Sequence, residues 1–170
     1  QVTLSGVELD ADSVIGEVGG GEAVLTALLK AARTGAAAEL VGVGQGAMDR
    51  TITYLKERKQ FGRLIGEFQG LQHRAAHLYG EMEVARATVM KAQQLLDEGS
   101  DAADLYVSVA KAKAGRAANL AVREGVQMHG GIGMTDEFDI GLYMKRDRAL
   151  AEYMGDVNYH ADRVARLNGY

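Results

Sequence analysis

Apolar residues recur at alternating intervals of three and four from Phe68 through Leu71, Ala75, Leu78, Met82, Ala85, Val89 and Ala92 to Leu96. This 3,4 pattern over about four heptads dictates a long helix with one continuous buried seam. The chain contains no proline, so nothing forces a helix to break early. A second pattern spans Glu22 to Lys59, with a stripe of Leu25, Leu28, Leu29, Ala32, Ala36, Leu40, Val43, Ala47 and Ile52. Gly62 to Gly66 separates the two. Asp97 to Ser100 marks the next turn, where Ser100 or Asp101 is placed to cap a third helix running to about His129. Gly130 to Glu137 reads as a glycine-containing loop. A fourth helical region starts near Phe138, breaks around Gly155 and resumes to Leu167. The expected fold class is all-α, an antiparallel up-down four-helix bundle. Val2 to Leu9 alternates apolar and polar residues, which reads as a short N-terminal β-strand without a partner in the chain. Ala11 to Gly21 then forms a connection ending in three glycines.

Composition narrows the function. The 170 residues suit one domain, 47% apolar and 25% charged. There is no cysteine, which excludes disulfides, thiolate nucleophiles and thiolate metal sites. The net charge of -4 and the lack of a dense basic block argue against nucleic acid. No apolar run has the length of a membrane span. Gln1 to Asp10 lacks the basic start and apolar stretch of a signal peptide, so the expected location is cytoplasmic.

Most local motifs have bland readings. His73 and His77 share a helix face, but Arg74 between them opposes a metal and no third ligand is evident, so no metal site is expected. Gly42, Gly44 and Gly46 lie inside a helical pattern rather than between a strand and a helix, which suits helix packing and not a dinucleotide fingerprint. Gly19 to Gly21 precedes a helix, lacks the lysine of a phosphate loop and reads as a hinge. Lys145, Arg146 and Arg148 read as a solvated face.

Two segments point to chemistry. Arg58-Lys59-Gln60-Phe61-Gly62 closes a long helix with a guanidinium, an aromatic and a permissive backbone. Arginine grips phosphate bidentately, and glycine lets a ligand approach the main chain. Gln127 to Gly133 adds an amide and three glycines at the end of another helix. Together they suit a nucleotide pyrophosphate.

Tyr54 to Gly62 resembles the YxxxRxQFG stretch of acyl-CoA dehydrogenases, Phe68-Gln69 resembles its continuation, and Gln127 to Gly133 resembles the family's QxxGGxG loop. Arg146-Asp147 and Tyr153-x-Gly155 are similar to its final region. The resemblance implies a flavoprotein that oxidises acyl-CoA thioesters to 2-enoyl-CoA, with FAD as cofactor and an electron-transferring flavoprotein as acceptor. It implies a dimeric or tetrameric assembly in which Arg58, Gln60, Phe61, Gln69, Gln127, Gly130 and Gly131 contact FAD held mainly by a neighbouring subunit. Arg33, Tyr153, Met154 and Gly155 would lie at the substrate. It further implies that residues 1–20 end a middle β-domain with its linker and that 21–170 form the C-terminal bundle.

The catalytic residues depart from the family. The glutamate between the tyrosine and glycine of the YEG motif is replaced by Met154. At the alternative base position, on the first helix, stands Ala32. Glu39, Glu152 and Asp156 lie nearby in sequence but match no base position. The ending Gly155-Asp156 through Tyr159-His160 and Asp162-Arg163 resembles members found in bacterial lipid or steroid degradation, in some of which a partner subunit supplies the base. The contrasting reading is a non-catalytic scaffold bundle, for which the heptad seam would serve oligomerisation.

Overall fold

The computed structural model describes residues 2–170. Five helices carry the fold: α1 (Gly21–Glu57), α2 (Gln69–Asp97), α3 (Ala103–His129), α4 (Ile140–Glu152) and α5 (Val157–Leu167). The first four run up and down, and α5 continues the fourth after a sharp turn, as the pattern around Gly155 predicts. The ends of α1 and α3 and the starts of α2 and α4 therefore lie at one end of the bundle. The α4–α5 turn lies toward the other.

α3 is the central helix, packing on α1, α2, α4 and α5. Its contact face is made of small residues: Ala110, Ala114, Ala117, Ala118 and Ala121 are fully buried. Small side chains let helix backbones approach closely, and the larger Leu40, Leu78, Met82 and Val107 fill the space between them. Glycine has the same role at two crossings. A Cβ on Gly44 would meet Met82 Cε at 2.8 Å, and one on Gly125 would meet Ile140 Cδ1 at 2.9 Å. Of the Gly42-x-Gly44-x-Gly46 string, Gly44 and Gly46 are packing positions, a Cβ on Gly46 meeting Tyr143 Cε1 at 2.6 Å, while Gly42 is exposed with nothing within 4 Å.

The α2 seam is buried from Leu78 through Met82, Ala85 and Val89 to Ala92, with Leu95 more deeply buried than Leu96 at its end. Neither Ser100 nor Asp101 caps α3: the helix starts at Ala103 behind Ala102 without a side-chain cap, and Ser100 Oγ accepts from the Ala102 N–H at 3.3 Å in the turn before it.

Three details differ from the sequence reading. The strand expected over Val2 to Leu9 does not form in this chain; the segment is exposed and unpaired, because a lone strand has no neighbour to complete its ladder. Leu25 and Leu28 are exposed rather than buried. α1 has 37 residues, about 55 Å by helical rise, and its first turns overhang the shorter α2 and α3. The break after α1 is a small antiparallel hairpin, β1 (Lys59–Gln60) and β2 (Arg63–Leu64), followed by a turn of 3-10 helix at Ile65–Glu67. Among the described residues no helix is long and apolar enough to cross a membrane.

Candidate functional site

Two constellations stand at opposite ends of the bundle. Lys111 and Met128 mark them on α3; the 17 residues from 111 to 128 place them about 25 Å apart.

The first gathers the hairpin and the end of α3. Leu55, Ile65 and Met128 form one apolar cluster that fastens the two segments together. Beside it the Tyr54 ring stacks on His129 with centroids 4.4 Å apart, and Phe138 completes the group. His129 is fixed in turn: its Nδ1 lies 2.6 Å from the Gly125 carbonyl oxygen, which only accepts, so Nδ1 carries the proton.

This scaffold holds a set of outward-facing residues. Phe61 and Gly62 sit at φ 54° and 79°, positive at both central positions, as a two-residue hairpin loop requires. An aromatic residue there is uncommon, and Phe61 stays 92% exposed, touching the Phe68 ring edge-on at 6.2 Å between centroids. Arg63 covers the Phe68 ring instead, its guanidinium carbon 4.1 Å from the centroid. Arg58 makes no ion pair among the described residues and lines a cleft of about 510 Å3 with Arg50, Tyr54 and Phe138, where Asp49 and Glu57 also stand. Gln60, in β1, and Gln69, the first residue of α2, are exposed. Gly130 (φ 66°) and Gly131 are exposed, and nothing lies within 4 Å of where a Cβ would stand on either. Gln127 is also exposed but opens on another side, lining a cleft of about 540 Å3 with Arg74 and Arg123. The expected Arg58, Gln60, Phe61, Gln69, Gly130 and Gly131 are thus brought to one end of the bundle, with Gln127 around the corner. An unpaired guanidinium, an exposed ring and an open glycine backbone suit a dinucleotide carrying a flat base and a pyrophosphate.

The second constellation is the turn Tyr153 to Asp156. Met154 sits at φ 61° and Gly155 at φ 106°, both in the region unfavourable to L side chains. Asp156 caps α5, its carboxylate accepting from the Tyr159 N–H at 2.7 Å. Three helices send donors to the turn. From α1, Arg33 donates through Nε to the Met154 carbonyl (3.3 Å) and through Nη2 to the Tyr159 hydroxyl (3.0 Å). From α5, His160 Nε2 lies 3.1 Å from the same Met154 carbonyl, so this nitrogen carries the proton. From α3, Lys111 donates to Leu150 (3.1 Å), Ala151 (3.2 Å) and Gly155 (2.9 Å) carbonyls. Arg33, expected at the substrate, is therefore buried with its donors directed at the turn. Tyr153 is exposed and Met154 half-buried.

The carboxylate of this turn, Asp156, is engaged in capping α5, and none stands at Met154 or Gly155. Met154 occupies the YEG glutamate position, and Ala32 lies one residue before Arg33. Glu39 is engaged by Arg146. Asp147, on α4, is buried, and its carboxyl is pushed up by desolvation against the Asn119 amide that donates to it at 3.1 Å. Among the described residues no group of three or more histidine or acidic side chains is placed to hold a metal.

Burial also holds His160 neutral, down to about 4, with the Lys111, Arg33 and Arg163 charges acting in the same direction against the Met154 carbonyl. The folded value lies below the unfolded one, so stability is complete above about pH 6.5 and falls as pH drops toward 4. The loss amounts to roughly 3 kcal/mol at the acid end. A His160→Gln variant, which keeps a donor but cannot titrate, is expected to flatten the dependence of melting temperature on pH between about 6.5 and 4. An unchanged pH profile in that variant would assign the acid loss to other groups.

Sequence reasoning missed Lys111. It sits on the buried stripe of α3 between Val107 and Ala114, and a lysine at a core register is the signal that identifies it.

Residues 19–167 match the family described as acyl-CoA dehydrogenase, C-terminal domain. The chain belongs to the acyl-CoA dehydrogenase family. It is 35% identical over 97% of its length to the short/branched chain specific acyl-CoA dehydrogenase, mitochondrial, of Bos taurus, and spans 38% of that relative. It superposes on a glutaryl-coenzyme A dehydrogenase solved as its glutaryl-CoA complex with TM-score 0.92 and 30% identity, covering 98% of this chain and 43% of the other. A steroid ACAD, Tcur3481-Tcur3483, matches with TM-score 0.79 and 34% identity over 82% of this chain and 38% of that one. The Bos taurus relative is mitochondrial, which overturns the cytoplasmic expectation. That expectation rested only on the absence of an address in residues 1–10, and composition carries no location.

Proposed function

We propose that this chain is the C-terminal bundle of an FAD-dependent acyl-CoA dehydrogenase-like protein, that residues 1–20 are the end of a β-domain and its linker, and that the turn at Met154 receives a thioester without supplying the base. One observation carries the reading: the Met154–Gly155 turn is held by Arg33, Lys111 and His160 although neither of its two residues carries a carboxylate.

FAD, when bound, would supply the redox chemistry as the hydride acceptor. Arg58 would hold a phosphate, Phe61 would lie on a flat ring, and the open backbone at Gly130 and Gly131 would admit the pyrophosphate. Gln60, Gln69 and Gln127 would add amide contacts. These residues face outward at the end of the bundle, which supports a flavin held between subunits of a dimer or tetramer.

At the turn, Tyr153, Met154 and Gly155 would border the acyl group, with Arg33 acting beneath them. The Met154 N–H bonds to no acceptor in the described chain, whereas the neighbouring Tyr153 and Gly155 amides bond to Ala149 and Glu152. It is therefore available to a thioester carbonyl, an interaction that needs no particular side chain. The thioether of Met154 accepts no proton, and a general base must approach its proton to about 3 Å. The base would come from elsewhere in the full-length protein or from a partner subunit. The steroid ACAD named for two proteins favours the partner. An electron-transferring flavoprotein would take the electrons.

Anaerobic titration of the full-length flavoprotein with acyl-CoA tests this. Alone, its flavin should stay oxidised; Met154→Glu should gain flavin bleaching. Bleaching by the unsubstituted protein alone would refute the missing base. FAD and acyl-CoA bound without any gain in Met154→Glu would refute the site, and a colourless protein would favour the scaffold reading.

A further inference from the structure

The α4–α5 turn receives more anchoring than a change of helix direction needs. Lys111 is 1% exposed, yet it carries an ammonium into the core. Its three N–H donors meet three carbonyls, two at the end of α4 and one at Gly155. The two at α4 are an ordinary use of a cation at a helix C-terminus. The third, at Gly155 and the shortest of the set, lies beyond the helix. The preceding carbonyl, at Met154, takes donors from both Arg33 and His160. Two consecutive carbonyls are thereby turned inward by side chains from α1, α3 and α5. Burial lowers the Lys111 ammonium from its ordinary value while Asp156 and Glu152 support it.

The peptide between residues 153 and 154 is the one the set leaves unbonded on its N–H side. With φ at 61° and 106° on the next two residues, this turn would relax if its carbonyls were released.

We propose that Lys111 is a positioning residue, holding the Gly155 carbonyl so that the Met154 N–H is kept in place for the carbonyl oxygen of an acyl thioester, with Arg33 and His160 completing the clamp. The proposal rests on the reading above that a thioester binds at this turn. It adds that the donor is prepared by a buried cation on α3, not by residue 154 itself. A preorganised donor polarises its acceptor more than one that must reorient.

The test uses the full-length holoprotein and a saturated acyl-CoA labelled with 13C at the thioester carbonyl. In the unsubstituted protein the labelled C=O stretch should fall to lower frequency on binding. In Lys111→Met, with helicity and flavin content retained, that displacement should shrink, and the acyl-CoA dissociation constant should rise about tenfold, the loss of one good hydrogen bond. A lysine that only stabilises the fold would lower the melting temperature and leave the bound carbonyl frequency unchanged; that result overturns the proposal. If Lys111→Met does not fold, the pair His160→Gln and His160→Leu decides: Gln keeps the donor to Met154 and should keep the displacement, and Leu should lose part of it. Equal spectra for the pair overturn the clamp. A bound acyl-CoA with no displacement in the unsubstituted protein would instead refute the thioester contact at Met154, and the proposal with it.

Discussion

Replacing Gly155 by alanine is expected to destabilise the bundle by roughly 2–4 kcal/mol and to lower its melting temperature by roughly 5–15 °C. Two independent effects add. The backbone at φ 106° lies outside the left-handed well that L residues tolerate, so alanine is strained whatever surrounds it. The new methyl would also stand 2.4 Å from Tyr159 Cδ1 and 3.0 Å from His160 Nε2. The tyrosine, 45% exposed, can withdraw only by giving up the contacts that hold it. Its hydroxyl accepts from Arg33, and its edge packs on the His160 ring at 5.0 Å between centroids. Moving it disturbs the donors that hold the Met154 carbonyl. Thermal denaturation followed by helical circular dichroism reads the effect. Gly131→Ala is the control, since its added methyl meets nothing within 4 Å and the backbone there is ordinary. Equal melting temperatures for the two variants would show that the turn is not strained.

The helices were legible because their signals are local and periodic. The 3,4 spacing from Phe68 to Leu96 requires a helix wherever it is buried, and the absence of proline lets α1 run unbroken. The pattern could not show where α1 outruns its neighbours, so Leu25 and Leu28 looked like core. Exposure there depends on the relative lengths of three helices, not on any one of them. The hairpin at Lys59 to Leu64 was hidden for another reason. Its turn places an aromatic residue, Phe61, at positive φ, where glycine or asparagine is the ordinary choice. The sequence marked the same residues as a ligand grip before it marked them as a turn.

The site was legible unevenly. Arg58, Phe61 and the glycines at 130 and 131 stood out through motif likeness, and all are exposed at one end of the bundle. Arg33 was read as a substrate contact, while its guanidinium is buried against the Met154 carbonyl and Tyr159. Lys111 was overlooked because its function depends on carbonyls 39 to 44 residues away in sequence. No local pattern encodes that distance. Location was not legible at all, because nothing in a helical bundle's core or surface specifies a compartment.

The second large effect is expected in flavin binding. Arg58 is exposed at the end of α1 and makes no ion pair among the described residues, and its backbone N–H bonds to the Tyr54 carbonyl at 2.9 Å, fixing the chain as it leaves the helix. The carbonyl of Arg58 accepts from Ile65 N–H at 2.8 Å and closes the hairpin behind it. The side chain is free to form two parallel hydrogen bonds to a phosphate, and lysine cannot reproduce that fork. Truncation should leave stability nearly unchanged, since no partner within the chain is lost. On the proposed reading, this end of the bundle grips the FAD. The direct measurement is the FAD dissociation constant of the full-length protein and of its Arg58→Ala and Arg58→Lys variants, by titration of the apoprotein followed through flavin fluorescence. Arg58→Ala should weaken binding roughly 10- to 100-fold, as expected for one charge-assisted contact, with Arg58→Lys in between. Unchanged affinity in both variants, with the melting temperature also unchanged, would contradict the account.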